Sequence, residues 1–130
     1  MNTEDAALAV VDPTISVMNV PLAFQDRLQA IAVEDTVDAE TPTKLYGAKH
    51  LNVSGRVLEA HFTTRVQDVP FVGEATYQNM VRYETECARG DSGGAVVDQQ
   101  GRLLGIHVAG AETSNRGIFF PVGKYLSDRR

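Results

Sequence analysis

The segment Arg89-Gly90-Asp91-Ser92-Gly93-Gly94 concentrates residue types that can turn a hydroxyl into a nucleophile. A serine alcohol is weak at its ordinary pKa, so attack on a carbonyl needs a base and a place for the oxyanion that develops. Gly90 and Ser92 can offer backbone N–H groups to that oxyanion. Gly93 and Gly94 permit backbone conformations and close packing that a Cβ blocks. Ser92 is therefore the candidate nucleophile, Gly90 and Ser92 the candidate oxyanion donors, and Asp91 the candidate buried anchor that holds the loop in shape. A buried carboxylate needs a partner, for which Arg82 and Arg89 are candidates.

Such a turn must be carried by rigid elements, and the chain reads mostly as short strands. Leu8 to Val11, Ile15 to Val20, Val57 to Phe62, Asn79 to Thr85, Ala95 to Asp98, Leu103 to Val108 and Gly117 to Val122 are apolar runs bounded by turn residues. Asp98-Gln99-Gln100-Gly101 reads as a hairpin turn, and Asn52-Val53-Ser54-Gly55 as a turn entering the next strand. Leu22 to Val33 has imperfect helical spacing, and the acidic stretch Val33 to Glu40 after it reads as a solvated loop.

At 130 residues there is chain for one core rather than two. A formal charge of -5 removes any field toward nucleic acid or anionic lipid, and no apolar run is long enough to span a bilayer. Cys87 is the only cysteine, which excludes an internal disulfide and a multi-thiolate metal site. The acidic start, Met1 to Asp5, is unlike a signal peptide. With the single cysteine it leans toward a soluble, cytoplasmic protein without fixing the compartment.

Gly90-Asp91-Ser92-Gly93-Gly94 resembles the nucleophile signature of the chymotrypsin-like (trypsin-fold) serine proteases. Gly101 to Gly110 resembles the hairpin and substrate-lining strand that follow it, and Gly117 to Val122 the last barrel strand. Lys44 to Gly47 with Val53 to Val57 resembles the opening hairpin of the second barrel in bacterial and viral members. The resemblance covers about two-thirds of the chain and implies an all-β, antiparallel six-stranded Greek-key barrel over residues 44–130. Residues 1–43 would be the end of a first barrel and the inter-barrel connection. It further implies a serine endopeptidase acting through an acyl-enzyme on Ser92, with peptide or protein substrates and no metal or organic cofactor.

Asp5-Ala6-Ala7-Leu8-Ala9-Val10-Val11 resembles the segment in which the family's catalytic Asp precedes an apolar strand, which would make Asp5 the carboxylate that orients the catalytic His. Only Met1 to Glu4 precede it, so the His and most of the first barrel are missing from the expected pattern. His50, His61 and His107 all stand at positions that do not match the general base. The expectation is a C-terminal fragment, inactive alone, of a longer protease or of a two-chain enzyme. An unpaired barrel would also expose an apolar face and favour association, including homo-oligomers. The rival reading is a catalytically silent peptide-binding or scaffolding module.

By the same resemblance His107 lies on the strand lining the specificity pocket, with Val108 and Gly110. A histidine in that setting implies Glu or Gln before the scissile bond. The alternative, His107 as a space-filling residue, stays open. Glu86 stands near the position of the pocket acid in Arg- or Lys-specific members and would favour those residues instead, unless it points to solvent. Cys87 is either a pocket-lining residue or a small buried filler.

Overall fold

The computed structural model describes residues 10–14, 30–31, 37–69 and 73–123. Seven strands follow in chain order: β1 Ala30–Ile31, β2 Pro42–Tyr46, β3 Val53–Val69, β4 Gly73–Glu84, β5 Ala95–Val97, β6 Arg102–Ala111 and β7 Arg116–Pro121. The order β6-β5-β2-β3-β4-β7, with β7 returning to pair with β6, closes six antiparallel strands into a ring. The chain runs as a β2–β3–β4 meander, crosses to β5 beside β2, and completes the ring through β6 and β7. β1 stands outside this plan, adding to β6 in parallel through Ala30 and Ile31. β2 opens at Pro42, two residues ahead of the boundary expected at 44.

Alternation along the strands sends Val57, Val81, Tyr83, Leu104 and Phe119 into the barrel interior with Leu45 and Val96. Each such side chain contributes on the order of 2 kcal/mol by leaving water. Met80 and Phe120, out of phase with these, gather with Tyr77, Ile106, Val108 and Ile118 into a second apolar cluster on the outer face. Among the described residues the large apolar side chains left exposed are Val10, Val11 and Leu51. No broad apolar face is open in this part of the chain.

The strand reading holds from Val57 onward but falls short in length. β3 and β4 run 17 and 12 residues and pair along almost their whole length. Register shifts near Phe62, with left-handed backbone at His61 (φ 57°) and Asn79 (φ 57°), curve this ribbon. The turn assigned to Asn52 through Gly55 sits earlier, over residues 47–52, and Gly55 already pairs with Thr43 inside the sheet. Gly55 serves close approach, since a Cβ there would collide with the Glu84 carbonyl. The Asp98 turn is as expected. Asp98 Oδ1 accepts from the amides of Gln100 and Arg102, both at 2.9 Å, and Oδ2 from Arg102 Nε at 2.7 Å. The expected strand at Ile15 to Val20 and nearly all of the helical stretch from Leu22 lie outside the described residues. Val10 and Val11 are not in a strand.

Candidate active site

The loop from Thr85 to Gly94 joins β4 to β5 and is pinned at its start by the Thr85 amide, which donates to the Asn115 carbonyl at 3.0 Å. Its centre is Asp91, fully buried. Oδ1 accepts from the amides of Lys49 (2.8 Å) and His50 (2.9 Å), while Oδ2 accepts from the Ala88 amide (2.9 Å) and lies 2.7 Å from His50 Nδ1. Burial alone would raise the Asp91 pKa. The His50 amide and ring, with the amides of Ala88 and Lys49, outweigh it and hold the group at about 2. Gly47 makes room for this clamp, because a Cβ there would strike the carboxylate.

Asp91 is thus buried within the loop, and its side-chain partner is His50, which was not among the sequence candidates Arg82 and Arg89. Arg82 reaches Glu59 at 3.3 Å instead. His50 lies in the 47–52 loop, 41 residues before Asp91. Nothing in the sequence marks it except its place in the opening hairpin.

Ser92 is exposed on the turn after Asp91, outside any helix or strand. Its Oγ donates to the Val108 carbonyl at 2.9 Å. The amides around it divide cleanly. That of Asp91 donates to the Ala88 carbonyl, that of Gly93 to His107 (2.8 Å) and that of Gly94 to Asp91 (3.0 Å). The amides of Gly90 and Ser92 take no partner among the described residues. Gly90 (φ 106°) and Gly93 (φ 87°) both need the positive φ that glycine adopts without strain. The loop therefore presents two uncommitted N–H donors within two residues of an exposed hydroxyl, the arrangement that binds a developing oxyanion.

Pairing of β5 with β6 ends at Ala95 opposite Ile106, and the last rungs are made by Gly93 and Gly94 to His107. Beyond them, Val108 to Ala111 pair only with β7 among the described strands. Among the described residues β6 therefore continues past Ser92 with one edge unpaired.

His107 is buried, and its Nδ1 lies 2.7 Å from the Tyr83 hydroxyl. Tyr83 also packs edge-on to Phe119. Burial, then the nearby Cys87 and Asp91, push the Tyr83 pKa well above its ordinary value, so the phenol stays protonated. Burial lowers the His107 pKa, against an opposing pull from Asp91, and favours neutral imidazole. A protonated phenol can donate to Nδ1 of the neutral ring or accept from it, so the role taken by the Tyr83 hydroxyl and the tautomer of His107 are fixed together. Gly117 faces this group without a side chain, since a Cβ there would come within 3.1 Å of His107 Cε1. Gly110, its partner across the strands, leaves the same kind of room beside Cys87 Sγ. Cys87 is buried, with Sγ 3.5 Å from the Arg116 carbonyl, whereas Glu86 is exposed. Val108 is half-buried and Gly110 exposed.

Asp5 lies outside the described residues. Of the three histidines, His50 is engaged with Asp91, His107 with Tyr83, and His61 is exposed on β3. Ser92 Oγ is bonded to none of them. Among the described residues no group of His, Cys, Asp and Glu could hold a metal ion, and no helix is long and apolar enough to cross a membrane.

The Trypsin family model matches residues 4–127. No curated protein matches the chain. Similar solved structures include a Cellulomonas bogoriensis chymotrypsin, 16% identical with TM-score 0.66, covering 83% of this chain and 55% of that one. Thermobifida fusca protease A is 18% identical with TM-score 0.67, covering 85% and 56%. A glutamic-acid-specific serine protease that uses a histidine triad in substrate binding is 27% identical with TM-score 0.69, covering 91% and 61%. The chain thus spans a little over half the length of these relatives. With the closed antiparallel barrel and the Ser92 loop already in place, the family match settles the ancestry: this chain belongs to the trypsin family of chymotrypsin-like serine proteases.

Proposed function

We propose that the chain carries the nucleophile barrel, residues 44–130, of a serine endopeptidase that hydrolyses peptide bonds through an acyl-enzyme on Ser92. The observation that carries this reading is the division of amides around Ser92. Asp91, Gly93 and Gly94 spend theirs on the loop, while Gly90 and Ser92 keep theirs uncommitted. In the reaction Ser92 Oγ leaves the Val108 carbonyl and attacks the scissile carbonyl, giving its proton to the general base; the carbonyl oxygen takes charge between the two amides, the C–N bond breaks as the amine leaves with that proton, and water then hydrolyses the ester. The substrate chain ahead of the bond lies along the open edge of Val108 to Ala111 as an added strand.

The general base is supplied by a segment other than 44–130, in the same precursor or in a partner chain, with Asp5 as its orienting carboxylate. The engagement of His50 and His107 elsewhere supports this. The 130 residues alone are then slow, because an alcohol without its base loses orders of magnitude in rate. A partner barrel or a second copy completes the enzyme.

The residue before the bond is Glu or Gln, read by the Nε2–H of neutral His107 in a pocket formed with Val108, Gly110 and Cys87. The 27% identical relative is glutamic-acid-specific and uses three histidines. Here a single histidine is backed by the phenol of Tyr83 and packed beside Phe119 through it. The exposure of Glu86 speaks against a pocket acid. A second reading, a peptide-binding module without hydrolysis, is favoured by the absence of any histidine on Ser92 Oγ among the described residues.

Free imidazole can stand in for a missing base. The chain treated with a fluorophosphonate should label at Ser92 at a rate that rises with imidazole concentration, and the Ser92→Ala variant should not label. Absence of labelling at every imidazole concentration, with intact peptide binding, would favour the silent module. A preference for peptides with Arg or Lys before the bond would overturn the reading of His107.

A further inference from the structure

On the outer face of the barrel a cavity of about 450 Å³ is walled by Arg65 on β3, Arg82 on β4 and Arg116 on β7, and floored along Ala109 to Ala111 of β6. Three strands deliver one guanidinium each, and among the described residues no carboxylate lines the space. Each arginine does have an acidic neighbour: Glu74 at 3.5 Å, Glu59 at 3.3 Å and Glu84 at 3.8 Å respectively. These pairs are long and all six groups are 39–75% exposed, so each contributes little and is readily exchanged.

Two of the arginines are also held in place independently of those pairs. Arg82 lies over the Phe62 ring at 5.3 Å, with its Nε buried and without a hydrogen-bond partner. Arg116 Nη1 donates to the carbonyls of Ser114 (3.1 Å) and Asn115 (3.4 Å). Preorganised guanidinium groups lose less freedom on binding and suit a carboxylate better than flexible lysines would.

We propose that this groove receives an acidic side chain of the peptide substrate, from the second or fourth residue ahead of the scissile bond. The inference rests on the reading of Ser92 and the open β6 edge given above. A peptide whose carbonyl sits at Ser92 and whose preceding residues follow Val108 to Ala111 runs antiparallel to β6, and three extended residues reach about 10 Å. Its side chains alternate between faces. With the residue before the bond turned inward to His107, the second and fourth turn to the outer face, on which Arg116 of β7, the strand paired with β6, stands nearest and Arg82 of β4 emerges beyond it between the inward Val81 and Tyr83. The enzyme would thus read acidic sequence beyond the residue next to the bond.

The test is binding of labelled peptides ending in Glu to the chain, followed by fluorescence anisotropy, with Asp placed singly at each of the four preceding positions. Asp at the second or fourth residue before the cut should tighten binding roughly fivefold to tenfold over Ala at low salt. The gain should shrink in 0.5 M NaCl. It should vanish in Arg65→Ala/Arg116→Ala while the all-Ala peptide binds unchanged. Arg116→Glu should reverse the preference toward Lys, an outcome that a merely structural role for the arginine does not produce.

Asp that is neutral or harmful at every position, or a gain that survives removal of both arginines, overturns the proposal. Ser92 labelling in imidazole reads the enzyme assignment separately. Labelling without an acid preference sinks the groove alone. An acid preference without labelling supports the groove and sinks the enzyme.

Discussion

His50 and Asp91 carry the shape of the loop that ends at Ser92. The carboxylate gathers three backbone amides and one imidazole from two loops 41 residues apart, so its loss would release both at once. His50→Ala removes one hydrogen bond to a buried charge and should cost about 2 kcal/mol in urea unfolding. It should also slow Ser92 labelling, because the Gly90 and Ser92 amides lose their fixed direction. An unchanged labelling rate in a folded variant would mean that the amides alone hold the loop.

Tyr83 touches His107, and on the proposed reading it acts on the substrate only through that ring. Tyr83→Phe keeps the packing against Phe119 but deletes the hydroxyl bonded to His107 Nδ1. The imidazole is then free to change tautomer, and peptides ending in Glu or Gln should bind roughly tenfold more weakly, while peptides ending in Ala change little. Equal weakening for all three peptides would indicate a general packing defect.

At the scale of elements, Gly55 shows how a strand can be misread as a turn. Asn52 to Gly55 carries turn-like residues, yet Gly55 is glycine because Glu84 of β4 crosses against it. Gly55→Ala should destabilise the chain by about 1–3 kcal/mol, the range for overpacking a tight contact. A neutral result by thermal unfolding would mean that β3 and β4 separate without penalty. The short apolar runs were legible because interior positions such as Val57, Val81 and Phe119 alternate with polar ones. The outer halves of β3 and β4 were not: Thr64 to Val66 pairs with Ala75 to Tyr77, and although Ala75 and Tyr77 are buried, Thr63, Thr64 and Arg65 give β3 no apolar alternation there. Ser92, Gly90 and Asp91 could be singled out as candidates from local chemistry. His50 and Tyr83 could not, because their roles come from contacts that span 41 and 24 residues of chain. The arginine groove is likewise a product of three separate strands.

For the whole molecule, two buried groups give stability a defined pH dependence. The Asp91 carboxyl titrates at about 2 in the fold against 3.8 when free. The unfolded chain therefore binds the proton first as pH falls, and about 2 kcal/mol should be lost between pH 4 and pH 2. His107 adds a second window. Its folded pKa lies below 6.5, so the unfolded state also binds protons more readily there, and stability should decline as pH drops below 6.5. His107→Gln should abolish the upper window and leave the lower one, as read by urea unfolding across pH. Stability that rises on acidification through pH 6 would contradict a neutral His107.

The barrel as a whole exists, on this account, to aim two amides at one point beside Ser92. The most direct measurement is a crystal structure of the chain after phosphonylation in imidazole. The phosphoryl oxygen should lie about 2.7–3.1 Å from the backbone nitrogens of both Gly90 and Ser92. An adduct on another residue, or a phosphoryl oxygen turned to solvent with those amides empty, would contradict the central claim.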